Sequence, residues 1–330
     1  MKRFLTVALC LLVAVSAVLV GCGKTEQGAE DAGKTVKFGS GVYVSNLAAT
    51  DATEDKNGSG KVDVTVAAVT VDEDGKIVSC ALDTASNTVG FTLDGKGVAN
   101  EQFKTKYELG DEYNMVAYGG AQKEWFEQAD AFEALVAGKT IDEVKALVAE
   151  GNKGTEEVVN AGCTIMINEF VGAIEKAIAA ASAEVAADSV LDVKVATEQT
   201  VTDAAEEKDG SNKVAVNVFA CAEDADGKVL AASSDCVEVS FTFDMNGVST
   251  FDATKPLLSK REQGTSYGMV AYGGAQKEWF EQADVFDAAC VGKTAAEIAS
   301  LSTEDGKGTD ELQSAGCTIY VTGFVKAASK

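Results

Sequence analysis

The chain has 330 residues, 46% of them hydrophobic, with 52 acidic residues against 28 basic ones, no histidine and a net charge of −24. The apolar share is that of a globular protein long enough for two domains, and so negative a surface is repelled by nucleic acid, which is excluded as a partner. Without histidine the chain holds no Ser-His-Asp or Cys-His catalytic group and no His-ligated zinc or haem. No catalytic or metal-ligating residue is therefore expected, and an electron carrier or binding protein fits better than a catalyst.

At the start of the chain, Lys2 and Arg3 precede an apolar run over residues 4–20 that is short for a membrane span and has the flanks of a cleaved export signal. The run ends in Leu19-Val20-Gly21-Cys22, which resembles the lipobox of bacterial lipoproteins. That resemblance implies a signal peptide over 1–21, lipid attachment with palmitate-type chains at Cys22, and a protein held on the extracytoplasmic face of the cell membrane. An ordinary signal peptide with an incidental cysteine is the plainer alternative. Losing Lys2 and Arg3 with the signal moves the charge from −24 to −26. Residues 22–35, rich in Gly, Lys and Glu, read as a flexible tether. Residues 28–35 (GAEDAGKT) satisfy the spacing of a phosphate-binding P-loop, but that loop works only between a strand and a helix. Glu30 and Asp31 would also repel phosphate, so the match is discarded.

An internal repeat organises the remainder. Residues 115–130 and 269–284 both read MVAYGGAQKEWFEQAD, 154 positions apart, and Ala161-Gly162-Cys163-Thr164-Ile165 recurs as Ala315-Gly316-Cys317-Thr318-Ile319. Packing tolerates apolar swaps of similar volume, so identity in a polar and aromatic block suggests two copies of one site. A recent duplication with patchy drift is the alternative.

In chain order, the first copy shows strand-like alternation at Val62, Val64 and Val66 within 61–71, an Asp-Gly turn at 72–76, a second strand over 77–82 and a third over 88–93. The second copy repeats these at 214–221, 228–232 and 237–243. The identical block opens a helix after Gly119-Gly120, with Trp125, Phe126, Ala129, Phe132, Leu135 and Val136 on one face and Gly138 at its end. Thr140 with Glu143, and Thr294 with Glu297, form capping boxes for a further helix. A closing strand at the Ala-Gly-Cys-Thr-Ile element and a helix over about 169–181 complete the copy. The predicted fold is α+β: two tandem homologous domains, 36–183 and 190–330, each an antiparallel sheet packed with helices.

Six cysteines follow Cys22, of which only Cys163 and Cys317 correspond between the copies. An exported chain can pair some of them, Cys221 with Cys236 for instance, though spacing does not establish a bridge; small buried thiols are the default.

The alternating strands with their Asp-Gly-Lys hairpin, and the terminal Ala161-Gly162-Cys163-Thr164 element followed by a helix, resemble the bacterial FMN-binding domain family. The resemblance implies flavin binding and electron transfer on a lipoprotein of Gram-positive type, with a membrane electron donor and a flavin transferase as partners. It also implies FMN joined by a phosphoester to Thr164 and to Thr318. The chain departs from the family pattern at Ala161 and Ala315, where serine is expected, and at Cys163 and Cys317, where alanine is expected. The acid expected six positions before each threonine is Val158 in one copy and Leu312 in the other.

The expected cofactor-binding residues are Thr164, Gly162 and Cys163 with Tyr118, Gly119 and Gly120, and in the second copy Thr318, Gly316 and Cys317 with Tyr272, Gly273 and Gly274. Tyr118, Trp125 and Phe126 could form a wall for a flat ring, although helix aromatics are more often core. The paired glycines would bare backbone amides for an anion at a helix start, and Lys123 and Lys277 could serve a phosphate. Two other readings stay open: a non-catalytic small-ligand-binding surface lipoprotein, and a structural surface module.

Overall fold

The computed structural model describes residues 34–330, so the lipobox, Cys22 and nearly all of the expected tether lie outside the described residues. The chain adopts a mixed α+β fold of two antiparallel sheets with ten α-helices among the described residues. The first half runs β1 (Thr35–Thr50), β2 (Gly58–Val71), β3 (Ile77–Phe91), β4 (Gly97–Val98), α1 (Lys106–Leu109), α2 (Trp125–Val136), α3 (Ile141–Lys145), α4 (Glu156–Ala161), α5 (Asn168–Ala180) and β5 (Ala183–Ala186). The second half repeats the main elements as β6 (Val190–Thr202), β7 (Gly210–Glu223), β8 (Val229–Phe243), α6 (Lys260–Gln263), α7 (Trp279–Cys290), α8 (Ala295–Ile298), α9 (Asp310–Ser314) and α10 (Thr322–Ala328). The sheet orders are β4-β3-β2-β1-β5 and β6-β7-β8.

The layering follows from the side-chain period of a strand. Along β2, Val62, Val64 and Val66 join Val214, Val216 and Val218 of β7 and Val237, Val239 and Phe241 of β8 in one cluster between the sheets. The alternate residues Ala67, Val69 and Val71 face the other way, under Trp125, Ala129 and Phe132 of α2 and Phe170 and Ile174 of α5. A matching cluster beneath α7 and α10 holds Phe219, Trp279, Phe286 and Phe324. The four layers are therefore helices, sheet, sheet, helices, and the halves share one core. Phe91 and Phe243 stack across that junction at 4.4 Å, both fully buried; burying one such ring contributes about 1.5–3 kcal/mol.

Several boundaries differ from the sequence expectation. The segments 77–82 and 88–93 are one strand, β3, and 228–232 and 237–243 likewise fuse into β8. Asp83 and Asn87 look like a break because Asp and Asn are poor strand formers, yet the polar groups here are satisfied in place. Thr84 and Thr65 share a hydroxyl bond of 2.9 Å, and Asp83 accepts the amides of Thr84 and Tyr107. Strands β1 and β6 are absent from the sequence reading. In β1, Gly39 and Gly41 weaken strand propensity; both are required because a Cβ there would overlap the Ala177 and Ala173 carbonyl oxygens of α5. The helix of the identical block starts at Trp125, not directly after Gly120. The Ala-Gly-Cys-Thr-Ile element is no strand: it leaves the end of α4 as a loop, and the isolated Lys153–Met166 bridge comes just after it. The stretch between the copies is not a plain linker, since β5 pairs with β1. All six described cysteines are free thiols, so Cys221 and Cys236 are unbridged; Cys80 is half-buried and the other five are buried.

Candidate functional site

In each half the identical block and the Ala-Gly-Cys-Thr loop meet through a buried glutamine. Helix α2 lays Trp125, Ala129, Phe132 and Val136 into the core, which carries Gln128 inside with them. The Gln128 side chain donates to the Lys123 carbonyl at 3.0 Å, and its Oε1 accepts the Thr164 amide at 2.8 Å and the Thr164 hydroxyl at 2.9 Å. Gln282 does the same in the second half, holding the Lys277 carbonyl at 3.0 Å and the Thr318 amide and hydroxyl at 2.8 and 2.9 Å. A glutamine with both ends occupied can be buried without the penalty of an orphaned polar group.

The turn before the helix is shaped by a carboxylate. Glu124 caps α2 in a capping box with Glu127, and its oxygens also accept the amides of Met115 at 2.8 Å and Val116 at 3.0 Å. Glu278 repeats this with Met269 and Val270 at 2.9 and 3.2 Å. The amides at the helix start are thus served by the chain's own carboxylate, and the paired glycines lie upstream of it. They make the turn itself: a Cβ on Gly119 would sit 2.6 Å from the Met115 carbonyl oxygen, and Gly120 has φ of 68°, a conformation that favours glycine. The turn leaves residues 116–120 exposed, with Tyr118 at 87% and Tyr272 at 91% of full exposure.

The loop that carries the threonine leaves α4 through Gly162, whose φ of 105° is matched by 105° at Gly316. The Lys123 ammonium lies over Gly162, where a Cβ would collide with it, and the Lys277 ammonium lies over Gly316, donating to the Ala315 carbonyl at 3.2 Å. Neither lysine has a carboxylate partner among the described residues. Thr164 and Thr318 are exposed.

Cys163 and Cys317 point inward and are fully buried, and burial pushes each thiol up to about 11. They pack in the two helix-side cores and cannot touch a surface ligand. Trp125 and Phe126 likewise belong to the core of α2, with Trp125 edge-on to Phe170 at 5.7 Å; they form no exposed ring wall. The structure thus brings together Gly162, Thr164 and Lys123, places Tyr118-Gly119-Gly120 on the adjoining turn, and takes the cysteines and the tryptophan away. Sequence reasoning passed over Gln128 and Gln282, although one signal was present: a polar residue at helical spacing between Trp125 and Phe132 on the apolar face.

Three clefts, of about 520, 510 and 570 Å³, lie elsewhere and none is lined by Thr164 or Thr318. Two of them sit where the halves meet, each over a buried aspartate. Asp235 borders one and Asp83 the other, and burial raises both carboxyls to about 6 against the hydroxyls and amides that hold them. Among the described residues no helix is long and apolar enough to cross a membrane, and no cluster of three or more His, Cys, Asp or Glu is placed to hold a metal ion. No family model, curated protein or solved structure matches this chain.

Proposed function

We propose that this protein is a lipid-anchored, extracytoplasmic binding protein built from two homologous tandem domains, each with one surface site for a small anionic ligand bearing a flat ring. The ligand proposed is FMN, attached to or seated beside Thr164 and Thr318, which makes the protein a carrier of electrons between a membrane donor and an outside acceptor. The observation that carries this reading is the exposed turn. Residues 116–120 and 270–274 are identical between the halves and lie at the surface, where packing imposes no identity. Strand positions of matching register have drifted meanwhile, Asp63 against Ala215 and Thr65 against Asn217.

The chemistry fits each part of such a ligand. The Lys123 and Lys277 ammonium groups, free of carboxylates, suit a phosphate, and Tyr118 and Tyr272 offer ring faces. Each threonine hydroxyl donates to a glutamine oxygen, so its own lone pairs face outward. The open setting favours a covalent bond over a deep pocket, because a tethered cofactor needs no enclosing walls and an exposed hydroxyl is reachable by a flavin transferase. A flavin supplies the redox chemistry itself, and the protein need only hold and orient it. The three clefts described above do not reach either threonine, and the second reading is a non-catalytic lipoprotein that captures a soluble ligand on the same two turns.

Co-expression with a flavin transferase should yield a yellow protein carrying two flavins per chain. Its fluorescence should survive denaturing electrophoresis and vanish in the Thr164→Val, Thr318→Val double variant. A colourless product that also fails to bind added FMN removes the flavin reading; loss of any ligand response on Tyr118→Ala with Tyr272→Ala would keep the binding reading alone.

A further inference from the structure

The sheet beneath the last helix carries different polar residues in the two halves. In the first half, Glu169 of α5 lays its carboxylate on the sheet, where it accepts the Ser45 hydroxyl at 2.6 Å and the Thr65 hydroxyl and Asn46 amide at 3.4 Å. In the second half, Glu198 lies opposite Ala215 as Ser45 lies opposite Asp63, Asn217 stands where Thr65 stands, and the helix residue is Gly323. With no side chain at Gly323, a cleft of about 510 Å³ lies over the sheet, a volume in the range of small-molecule sites. Asn217 lines this cleft and is only 8% exposed. Its Nδ2 is turned to three acceptors, the Ala196 carbonyl at 3.3 Å and the Glu198 carboxylate and Ala215 carbonyl at 3.4 Å, which fixes the orientation of the amide. Its Oδ1 accepts no hydrogen bond among the described residues. A nearly buried acceptor without a donor is costly to keep.

We propose that this cleft binds a neutral sugar, one ring of which donates a hydroxyl to Asn217 Oδ1 and lays its apolar C–H face on the Tyr320 ring. The charges in the cleft argue for neutrality. Lys213 and Lys260 both reach Glu238, at 2.8 and 3.3 Å, and Glu198 holds Lys326 at 2.5 Å. These pairs leave hydrogen-bonding groups without an unanswered charge on the floor. The two lysines disfavour a cation there, while Glu304 and Asp305, exposed on the rim, repel an anion. Tyr320 borders the cleft and is 71% exposed, a ring face open to a ligand. A sugar ring matches this combination, with hydroxyls that donate and accept and a flank of C–H groups. The cleft and the unanswered Oδ1 occur together where Gly323 replaces Glu169. Thr318 does not line the cleft, so this site stands or falls without the twin turns.

The test is saturation-transfer NMR on the purified protein with the methyl glycosides of glucose, galactose and N-acetylglucosamine, and with methyl glucuronide as the anionic counterpart. At least one neutral glycoside should receive saturation from the protein, and the glucuronide should receive much less. Tyr320→Ala, a change at an exposed side chain that leaves the fold intact, should weaken binding about tenfold. Asn217→Ala should weaken it about fivefold to tenfold, the loss of one hydrogen bond. The Glu198→Ser, Asn217→Thr, Gly323→Glu triple variant rebuilds the first-half arrangement in the second half and should fold and abolish binding. Silence from all three neutral glycosides, equal binding of the glucuronide, or full affinity in Tyr320→Ala or in the triple variant would each overturn the proposal.

Discussion

The two helix-side surfaces of this duplicated chain differ in what they have kept. The turns over residues 115–124 and 269–278 are the same in sequence and geometry, down to the Glu124 and Glu278 caps and the Gln128 and Gln282 bridges. The walls of the two inter-half clefts have diverged: an arginine clamped by Asp284 and Asp287 on one side, a tyrosine bonded to Asp130 beside Glu133 on the other. Identity at an exposed turn is the observation on which the proposed shared ligand rests. At the paired acids the copies diverge: Arg261 bonds both Asp284 and Asp287 in one, while in the other Tyr107 bonds Asp130 and Glu133 meets the Leu82 amide.

Removing the clamp should produce the largest effect. Arg261→Leu strands the buried Asp287 without its guanidinium and should cost about 3–5 kcal/mol in urea denaturation, whereas Tyr107→Phe in the other half should cost only about 0.5–1.5 kcal/mol. Equal costs would mean the clamp and the tyrosine do the same job.

The second contrast is in pH. Glu133 has its folded value raised to about 8, so the protonated acid is the favoured folded form. Its contribution is fully present below the ordinary carboxylate range and is lost as pH rises through about 8. The Glu133→Gln variant should therefore gain on the parent by a few kcal/mol, order of magnitude, between acid and pH 9. A stability difference that stays flat with pH would show that Glu133 ionises normally.

Cutting the glutamine bridge should cost about 1–3 kcal/mol in either half, since Gln128→Ala or Gln282→Ala leaves the Thr164 or Thr318 amide without its acceptor. Matching values by thermal denaturation would sharpen the equivalence of the two sites. Gly162→Ala and Gly316→Ala should each cost about 1–3 kcal/mol from the left-handed φ and the displaced lysine. Tyr118→Ala should change stability by less than about 0.5 kcal/mol, because the ring is almost wholly exposed, while lowering ligand affinity. A destabilised Tyr118→Ala would make the tyrosine a packing residue.

Much of the architecture was readable. The alternation at Val62, Val64 and Val66, the Asp-Gly hairpin turns at Gly75 and Gly227 and the Thr140–Glu143 and Thr294–Glu297 capping boxes all depend on neighbours within a few residues. Strand β1 was hidden because Gly39 and Gly41 are poor strand residues, chosen for the passage of α5 from far along the chain. The continuity of β3 was hidden because Asp83 and Thr84 find their partners at Thr65 and Tyr107. In the candidate site, Thr164, Gly162 and Lys123 were legible from the repeat, whereas Cys163 was misplaced: a loop residue next to a surface threonine gives no sign of which way it points.

The sequence by itself determined the duplication, the acidic character, the absence of histidine chemistry and the local elements, since each is written in composition or short-range spacing. Only the tertiary structure decided that the two sheets share one valine-rich interior, that Gln128 ties the identical block to Thr164 across 36 residues, and that Arg261 bonds two acids where Tyr107 bonds one. These depend on which distant side chains the packed layers bring within hydrogen-bonding reach, and no periodicity along the chain encodes that distance.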